Sequence, residues 1–413
     1  SATRRGGRPE KSNPFPRASR KLVRMKPRRV VTLTLALACL AAASASAQTE
    51  VPADALIGEV PFLTHSETNR VFIDLAPEGK RPFRLLLDTG ASDSVLTPGY
   101  ARELGVTVRS HRSRPNQRET RLGRDLQFWI DTESSAQISR TGWDYGLLGG
   151  TFLAEYVLEI DFPGRRVRFL DPEKFAVPKQ ADGAGEAVLP LRVMGNRPFV
   201  KILVEGKEVE VLLDTGAPQT VGLSGRSAKR AGYEPKRLAR LGMGGVLGPI
   251  ESYLVEASEL ALGPFRFAPA PLVLAPNGMY NMGGSTDSLI GYDLLEHFVV
   301  RIDYRRGRLW LRRIGDRSLS LFGLPWADTR ETGAMLVISQ SRILVQGVLP
   351  ESPAERLGLM PGDSIALSEE LVDTEELARF HARIRAGEAL RVQRITAGES
   401  EDVIEDVELP APK

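Results

Sequence analysis

Short apolar runs recur along the chain and alternate with turns that contain glycine, proline or aspartate. The runs at residues 71–73, 83–87, 200–204 and 209–213 have the aliphatic, β-branched composition of strands. The first two runs lie close enough to pair as a hairpin, and so do the last two. This pattern predicts a mainly β protein with two similar hairpins.

Both predicted hairpins lead into the same tetrapeptide. The first ends at Asp88-Thr89-Gly90-Ala91, and the second ends at Asp214-Thr215-Gly216-Ala217. Leu147-Leu148-Gly149 and Leu289-Ile290-Gly291 then open two further stretches that stay 142 positions apart without a gap. Such internal similarity indicates one lobe present in two copies.

The two copies define the domain organisation of the main part of the chain. We place the first lobe at residues 56–172 and the second at 187–315. The linker at 173–186 contains Pro178, Gly183 and Gly185, which are typical of a connecting segment.

A different pattern follows the second lobe. Residues 335–338 and 343–345 are predicted strands, Ser352 is the predicted cap of a short helix that ends at Gly358, and residues 375–384 form a second predicted helix. The order Ser-Pro-Ala, Gly-Leu and Pro-Gly-Asp resembles PDZ domains of exported bacterial proteases. The resemblance implies a PDZ-like α/β domain at 324–409 that docks the C-terminus or an extended segment of a protein substrate by strand addition, or that regulates access to the cleft. A packing module without a ligand is the alternative.

The N-terminal segment has the layout of a secretory signal peptide. A basic stretch at 26–29 precedes an uncharged apolar run at 30–43 and then Ala45-Ser46-Ala47. The apolar run is shorter than the roughly 20 residues that a membrane-spanning helix needs. We therefore expect residues 1–47 to comprise an upstream extension and a signal peptide that is cleaved near Ala47. The mature protein would be periplasmic or extracellular, without a stable membrane span.

Removal of this leader changes the charge balance and the cysteine content. The leader holds 11 Lys and Arg and one acidic residue, so that 44 basic and 51 acidic residues remain, a net charge of −7 instead of +3. No nucleic-acid partner is implied. Cys39 is the only cysteine and lies in the leader, which excludes disulfides and a cysteine nucleophile from the mature chain. The four histidines lack ligand spacing, and we expect no metal and no cofactor.

Two carboxylates that share one proton can hydrolyse a peptide bond without metal or covalent nucleophile. One removes a proton from water while the other protonates the carbonyl oxygen. Asp88 and Asp214 would form this dyad if the lobes pack face to face. Glycine at positions 90 and 216 allows a tight turn, and the hydroxyls of Thr89 and Thr215 can brace the opposite loop.

These motifs resemble the pepsin and retropepsin clan of aspartic proteases. In that clan each lobe or subunit carries Asp-Thr/Ser-Gly and a later apolar-apolar-Gly, which here ends in Leu148-Gly149 and in Ile290-Gly291. The resemblance covers residues 56–315. It implies a two-lobed, retropepsin-like acid-protease β fold and an exported aspartic endopeptidase that acts on protein or peptide substrates. A catalytically inactive peptide-binding or scaffold protein with the same fold is the alternative.

Clan members close a hairpin flap over the substrate. Gly242, Met243, Gly244 and Gly245 suit the tip of such a flap in the second lobe. The equivalent stretch of the first lobe, residues 109–124, is rich in arginine and almost without glycine, so that a solvated loop and a substrate-contacting hairpin both remain open.

The residue after each Asp-Thr-Gly bears on the pH optimum. Ala91 and Ala217 replace the Ser or Thr that is frequent there in pepsin-like relatives, and they offer the dyad no hydroxyl. We therefore expect a less acidic optimum than pepsin's. The sequence does not decide which aspartate is the base.

Overall fold

Both hairpins form, and each leads directly into its Asp-Thr-Gly turn. The computed structural model describes residues 51–64, 69–75, 83–97, 119–121, 127–130, 146–233, 239–245, 248–275, 288–339, 342–366, 374–396 and 403–410. The predicted leader at 1–47 lies outside this part of the chain. The protein is mainly β, as the apolar pattern predicts.

The first lobe is built around the antiparallel pairing of its second and third strands, in which Phe72 faces Leu86. Its elements are β1 (Leu56–Thr64), β2 (Val71–Leu75), β3 (Phe83–Leu87), β4 (Val95–Leu96), β5 (Glu119–Arg121), β6 (Gln127–Ile130), β7 (Gly146–Leu148), α1 (Gly150–Leu153), β8 (Val157–Asp161) and β9 (Arg166–Leu170). Leu85 and Leu87 of β3 are fully buried, so that the strand before the first Asp-Thr-Gly turn is fixed by the core.

The second lobe repeats this order. Its elements are β10 (Glu186–Pro190), β11 (Arg192–Met194), β12 (Arg197–Val204), β13 (Lys207–Leu213), β14 (Val221–Ser224), α2 (Gly225–Ala231), β15 (Ala239–Gly245), β16 (Gly248–Ala257), β17 (Leu260–Leu262), β18 (Phe265–Phe267), β19 (Ala270–Ala275), β20 (Leu289–Ile290), α3 (Tyr292–Leu295), β21 (Phe298–Asp303) and β22 (Arg308–Arg313). The β12–β13 turn has Glu205 at φ 48° and Gly206 at φ 68°. Positive φ at both central residues is what a two-residue hairpin turn of type I′ requires.

One sheet joins the two lobes. Where it joins them, its strand order is β10-β22-β21-β8-β9-β1, with three strands from each lobe, and the sheet continues from β1 into β2 and β3 of the first lobe. Strand β8 pairs antiparallel with β21, so that Ile160 faces Val300. Both residues are fully buried. Residues 173–186 connect the lobes, and Phe175 and Val177 of this predicted linker are buried in a small apolar cluster on the same sheet. The lobes are therefore held in one fixed arrangement.

The C-terminal region begins with a short connector and continues as strands and helices. Its elements are β23 (Ser320–Leu321), β24 (Leu324–Pro325), α4 (Trp326–Thr332), β25 (Ala334–Ser339), β26 (Arg342–Val348), α5 (Pro353–Arg356), β27 (Ser364–Ala366), α6 (Thr374–Ala386), β28 (Leu390–Thr396) and β29 (Val403–Leu409). Ser352 caps α5 as expected, because its hydroxyl accepts a hydrogen bond from the Glu355 amide. No helix in the described ranges is long and apolar enough to cross a membrane.

The C-terminal region also extends the sheet of the second lobe. Strand β26 pairs with β25 along one edge. Along its other edge, residues 342–344 pair with β27, and Gly347 faces Leu241 of β15. This contact places the C-terminal region against the β15–β16 hairpin.

Candidate active site

The two aspartates lie at the ends of buried strands that are each fixed by a parallel neighbour. Strand β3 pairs with β7, and β13 pairs with β20. The amide of Asp88 donates to the carbonyl of Leu148 at 3.0 Å, and the amide of Asp214 donates to the carbonyl of Ile290 at 2.9 Å. The apolar-apolar-Gly segments therefore hold the backbone of both aspartates.

A reciprocal set of hydrogen bonds locks the two turns together. The amide of Thr89 donates to Oγ1 of Thr215, and the amide of Thr215 donates to Oγ1 of Thr89, both at 3.1 Å. The hydroxyls in turn donate to the carbonyls of Leu213 and Leu87 at 2.7 and 2.6 Å. Both threonines are fully buried. The bracing role expected of the threonines thus crosses from one lobe to the other.

The two glycines leave room for the opposite carboxyl group. A methyl group at Gly90 would lie 2.4 Å from Cγ of Asp214, and one at Gly216 would lie 2.7 Å from Cγ of Asp88. Both distances are shorter than nonbonded carbon atoms tolerate. The turns therefore meet face to face, and any side chain at either glycine would separate them.

The carboxyl group of Asp88 accepts more of the described amide hydrogen bonds than that of Asp214. Oδ1 of Asp88 accepts from the amides of Gly90 and Ala91, each at 2.9 Å. Oδ1 of Asp214 accepts from the amide of Gly216 at 2.9 Å. Amide donors stabilise a carboxylate, so this arrangement favours negative charge on Asp88.

Burial raises the pKa of both carboxyl groups, and repulsion by the charge of Asp88 adds to the rise at Asp214. Burial raises the pKa of Asp88, and the two amides oppose that rise. Burial, followed by the charge of Asp88, holds the pKa of Asp214 well above its ordinary value. Asp214 is also only 7% exposed. The dyad therefore retains one proton to higher pH than an isolated aspartate would, with Asp214 as its preferred carrier.

Arg70 is a charged neighbour of the dyad that the sequence motifs did not identify. Its Nε donates to the carbonyl of Gly216 at 2.6 Å, so a side chain of the first lobe holds the turn of the second. Burial lowers the pKa of Arg70 to about 10, although the charges of Asp214 and Asp88 oppose this, and the group stays cationic at neutral pH. Its positive charge lowers the pKa of both aspartates.

A second arginine occupies the corresponding place in the other lobe. Arg197 opens β12 as Arg70 precedes β2, and each follows an asparagine with positive φ, Asn69 at 44° and Asn196 at 59°. Burial lowers the pKa of Arg197, against the charges of Asp214 and Asp93. The repeated Asn-Arg pair before each hairpin is the sequence signal that would have pointed to these residues.

The predicted flap residues of the second lobe lie on a hairpin. Gly242, Met243, Gly244 and Gly245 belong to β15, which pairs antiparallel with β16. Residues 246–247 lie outside the described part. In the first lobe the corresponding stretch is described only at 119–121, where β5 pairs with β6. Residues 109–118 and 122–124 of this stretch lie outside the described ranges.

The base of this hairpin is attached to the C-terminal region by side chains as well. Leu254 of β16 packs with Trp326 and Met335 in an apolar cluster, and all three are at most 3% exposed. The carboxylate of Glu256 accepts a hydrogen bond from Nε1 of Trp326 at 3.1 Å and pairs with Arg330 at 2.8 Å. The hairpin therefore has a rigid anchor on one side.

The chemistry of the site is that of paired carboxyl groups. Within the described ranges no group of three or more His, Cys, Asp or Glu side chains is placed to hold a metal ion. The dyad, its threonine lock and its glycine contacts together define the class of site found in proteins that activate water between two aspartates.

Known proteins with this class of site are similar to parts of the chain. Residues 200–294, which include Asp214 and Gly291, match the model of a family described as aspartyl protease. Comparison with curated proteins found no match. The family match supports peptidase activity, and it lies within the second lobe.

Several solved structures are similar to parts of the chain. A retropepsin-like aspartic protease from Rickettsia conorii is 21% identical over 31% of this chain and 91% of its own, with a TM-score of 0.25. Basic 7S globulin from soybean is 14% identical over 65% of this chain and 97% of its own, with a TM-score of 0.36. EIAV protease, complexed with the inhibitor HBY-793, is 24% identical over 24% of this chain and 86% of its own, with a TM-score of 0.20.

Proposed function

We propose that the protein is an exported aspartic endopeptidase that hydrolyses peptide bonds of protein substrates. The observation that carries the proposal is the meeting of Asp88 and Asp214 across the threonine lock, with each carboxyl group against the glycine of the other turn. The aspartyl protease match over residues 200–294 supports it independently.

In the proposed reaction Asp88 is the base and Asp214 the acid. A carboxylate oxygen of Asp88 takes a proton from water as the water oxygen bonds to the carbonyl carbon. The proton of Asp214 passes to the carbonyl oxygen, which gives a neutral tetrahedral diol. When the C–N bond breaks, the proton held by Asp88 moves to the leaving nitrogen, and a hydroxyl proton returns to Asp214. The two amides at Asp88 and the deeper burial of Asp214 support this assignment.

The C-terminal region at 324–409 is proposed to be a PDZ-like domain. Strand β25 pairs with β26 on one edge, and α6 follows in the order expected of such a domain. A peptide C-terminus or extended segment would add to the other edge of β25 by main-chain hydrogen bonds. Because Met335 of β25 packs against Leu254 of the flap hairpin, this strand also offers a route for regulation of the cleft.

Cleavage of an unfolded protein mixture between acid and neutral pH tests the proposed activity. Residues 48–413 are compared with Asp88→Asn and Asp214→Asn variants, and pepstatin serves as a probe. We expect cleavage by the unsubstituted protein and a loss of at least about a hundredfold in either variant. Tight peptide binding without product at any pH would favour the inactive binding protein instead. An unchanged rate in a variant would remove the dyad from the reaction.

Export and substrate docking need separate measurements. Fusion of residues 1–47 to a reporter that is active only outside the cytoplasm tests export, and cleavage near Ala47 is the expected result. Peptides with free and amidated C-termini, tested for binding to the protein, distinguish C-terminal capture from capture of an internal segment. Binding of neither peptide would leave the C-terminal region as a packing module.

A further inference from the structure

Asp293 is a buried carboxyl group beside the dyad that the proposed reaction does not use. It is the second residue of α3, two positions after Gly291, and it is fully buried. Its amide donates to the carbonyl of Pro218 at 3.2 Å, which ties α3 to the loop that follows the second Asp-Thr-Gly turn. A carboxyl group without exposure is costly unless its surroundings give it a function or a partner.

The side chain of Asp293 reaches into the first lobe. Its Oδ1 accepts a hydrogen bond from Nδ2 of Asn69 at 2.5 Å. Asn69 stands at φ 44°, a conformation that needs local support in a residue other than glycine. The next residue is Arg70, whose guanidinium holds the carbonyl of Gly216. The Asp293–Asn69 contact therefore fixes the backbone from which Arg70 approaches the dyad.

The same oxygen also binds the connector to the C-terminal region. Oδ1 of Asp293 accepts from the amide of Gly323 at 3.1 Å, and a methyl group at Gly323 would lie 3.2 Å from the Asn69 side chain. Nearby, the hydroxyl of Thr220 donates to the carbonyl of Ser320 at 2.8 Å. Three parts of the chain thus meet at one carboxyl group: the first lobe, the second catalytic turn and the connector.

The first lobe offers a natural comparison for this residue. Thr151 occupies the equivalent position, 142 residues earlier. Its Oγ1 accepts from the amide of Ser94 at 3.2 Å, and its amide donates to the carbonyl of Ser92, so Thr151 braces the turn of its own lobe. Asp293 keeps the equivalent backbone contact with Pro218, but its side chain crosses to the other lobe.

We propose that Asp293 is a positioning residue for the dyad, which acts through Asn69 to hold Arg70 against the second catalytic turn and couples that arrangement to the connector. Its relevance to catalysis rests on the proposed peptidase function. The effect of Asp293 on the position of Arg70 is independent of that function, because the charge of Arg70 acts on Asp88 and Asp214 whether or not substrate is cleaved.

The surroundings favour the uncharged form of Asp293. Burial, followed by the nearby charge of Glu296, holds the pKa of Asp293 well above its ordinary value, against the hydrogen bonds from Gly323, Phe322 and Asn69. Oδ2 is buried without a hydrogen-bond partner among the described residues. An amide in place of the acid would keep the accepting oxygen, and asparagine is therefore the conservative substitution.

Four variants test the proposal. Asp293→Thr introduces the residue of the first lobe, and Asn69→Gly removes the donor while tolerating the positive φ. Asp293→Asn keeps the acceptor, and Thr151→Ala is the matched control in the other lobe. For each, kcat and KM on one peptide are measured well below the lowest unfolding temperature, and Asp88 and Asp214 are titrated by carboxyl 13C NMR.

We expect Asp293→Thr and Asn69→Gly to lower kcat about tenfold with KM within about twofold, since misplaced charge affects the chemical step. Both should also raise the apparent pKa values of the dyad, because Arg70 no longer lowers them fully. Asp293→Asn should match the unsubstituted protein. Thr151→Ala should lower the unfolding temperature and leave the dyad titration unchanged.

The NMR titration separates this proposal from the peptidase function. If the unsubstituted protein cleaves nothing, the proposed function fails, and the titration of the variants still decides the role of Asp293. An unchanged dyad titration in both Asp293→Thr and Asn69→Gly would overturn the proposal. So would an Asp293→Asn protein as altered as Asp293→Thr. If Asp293→Thr does not fold, Asn69→Gly alone provides the decision.

Discussion

The two lobes are alike where they hold the carboxyl groups and different where they meet the rest of the chain. Each contributes one aspartate, one threonine of the lock and one apolar-apolar-Gly support, with hydrogen bonds of nearly equal length. The described hydrogen bonds and apolar packing against the connector and the C-terminal region come from the second lobe, through Asp293, Leu254 and Glu256, while the first lobe meets the connector where Asn69 lies beside Gly323.

This difference indicates how a duplicated lobe can acquire unequal roles. The shared elements build the dyad, and they require symmetry because each lobe completes the turn of the other. The unshared elements surround the second turn and the β15–β16 hairpin. We infer that the first lobe supplies the ionised aspartate, while the second carries the proton and contacts the C-terminal region.

The threonine lock offers the largest expected effect on stability and the strictest test of symmetry. Thr89→Val and Thr215→Val should each lower the free energy of unfolding by about 3 kcal/mol, because each leaves a buried amide and a buried carbonyl unpaired. Denaturant unfolding measures both, with Thr→Ser variants at the same positions as controls that keep the hydroxyl. Losses that differ by more than about 1 kcal/mol between the two sites would contradict the symmetric lock.

The second lobe should lose stability in acid through His297, by a free energy of unfolding no larger than that of the threonine lock. Burial, followed by the charges of Arg313 and Arg317, lowers the pKa of His297 to about 4 from 6.5. Its equivalent in the first lobe is Glu155, which is exposed. Because the folded state resists protonation of His297, its contribution to stability is present above pH 6.5 and is lost as the pH falls towards about 4.

This loss should reach about 3 kcal/mol for His297. Unfolding measured from pH 7 to pH 4 should show a shallower decline in His297→Gln, which cannot gain the proton, than in the unsubstituted protein. His381 of the C-terminal region shows the same direction, so part of the decline should persist. Glu155→Gln is the control in the first lobe, and an equal change in both variants would refute the assignment to His297.

Arg70 and Arg197, at equivalent positions of the two lobes, should influence the pH optimum of cleavage by different amounts. This is the smallest of the expected effects. Arg70 lowers the pKa of both aspartates, so Arg70→Gln should raise the pH optimum of cleavage by about one unit. Arg197→Gln should raise it less. The pH dependence of kcat/KM measures both, and an equal or reversed order would remove the distinction between the two arginines.

The parts of the fold that could be predicted from the sequence are those that local pattern determines. The hairpins, the Asp-Thr-Gly turns and the segments ending in Gly149 and Gly291 follow from short apolar runs and from the internal repeat. Arg70 and Asp293 were missed because they act across the lobe boundary, which periodicity within one lobe does not indicate.

The attachment of the C-terminal region could not be predicted for a related reason. Pairing of β15 with β26 joins segments about 100 residues apart through main-chain groups, and any strand edge can offer these. The Asn-Arg pair before each hairpin was visible in the sequence. Its meaning depends on the positive φ of Asn69 and Asn196, which only the structure supplies.

The central claim is that one chain builds one dyad from its two lobes, and a mixing experiment tests it most directly. Asp88→Asn and Asp214→Asn proteins are assayed separately and after refolding together, beside the unsubstituted protein. We predict that the unsubstituted protein cleaves, and that both variants and their mixture are inactive, because no chain in the mixture holds both aspartates. Recovery of activity in the mixture would show that lobes of different chains form the site, and full activity of either variant alone would contradict the dyad.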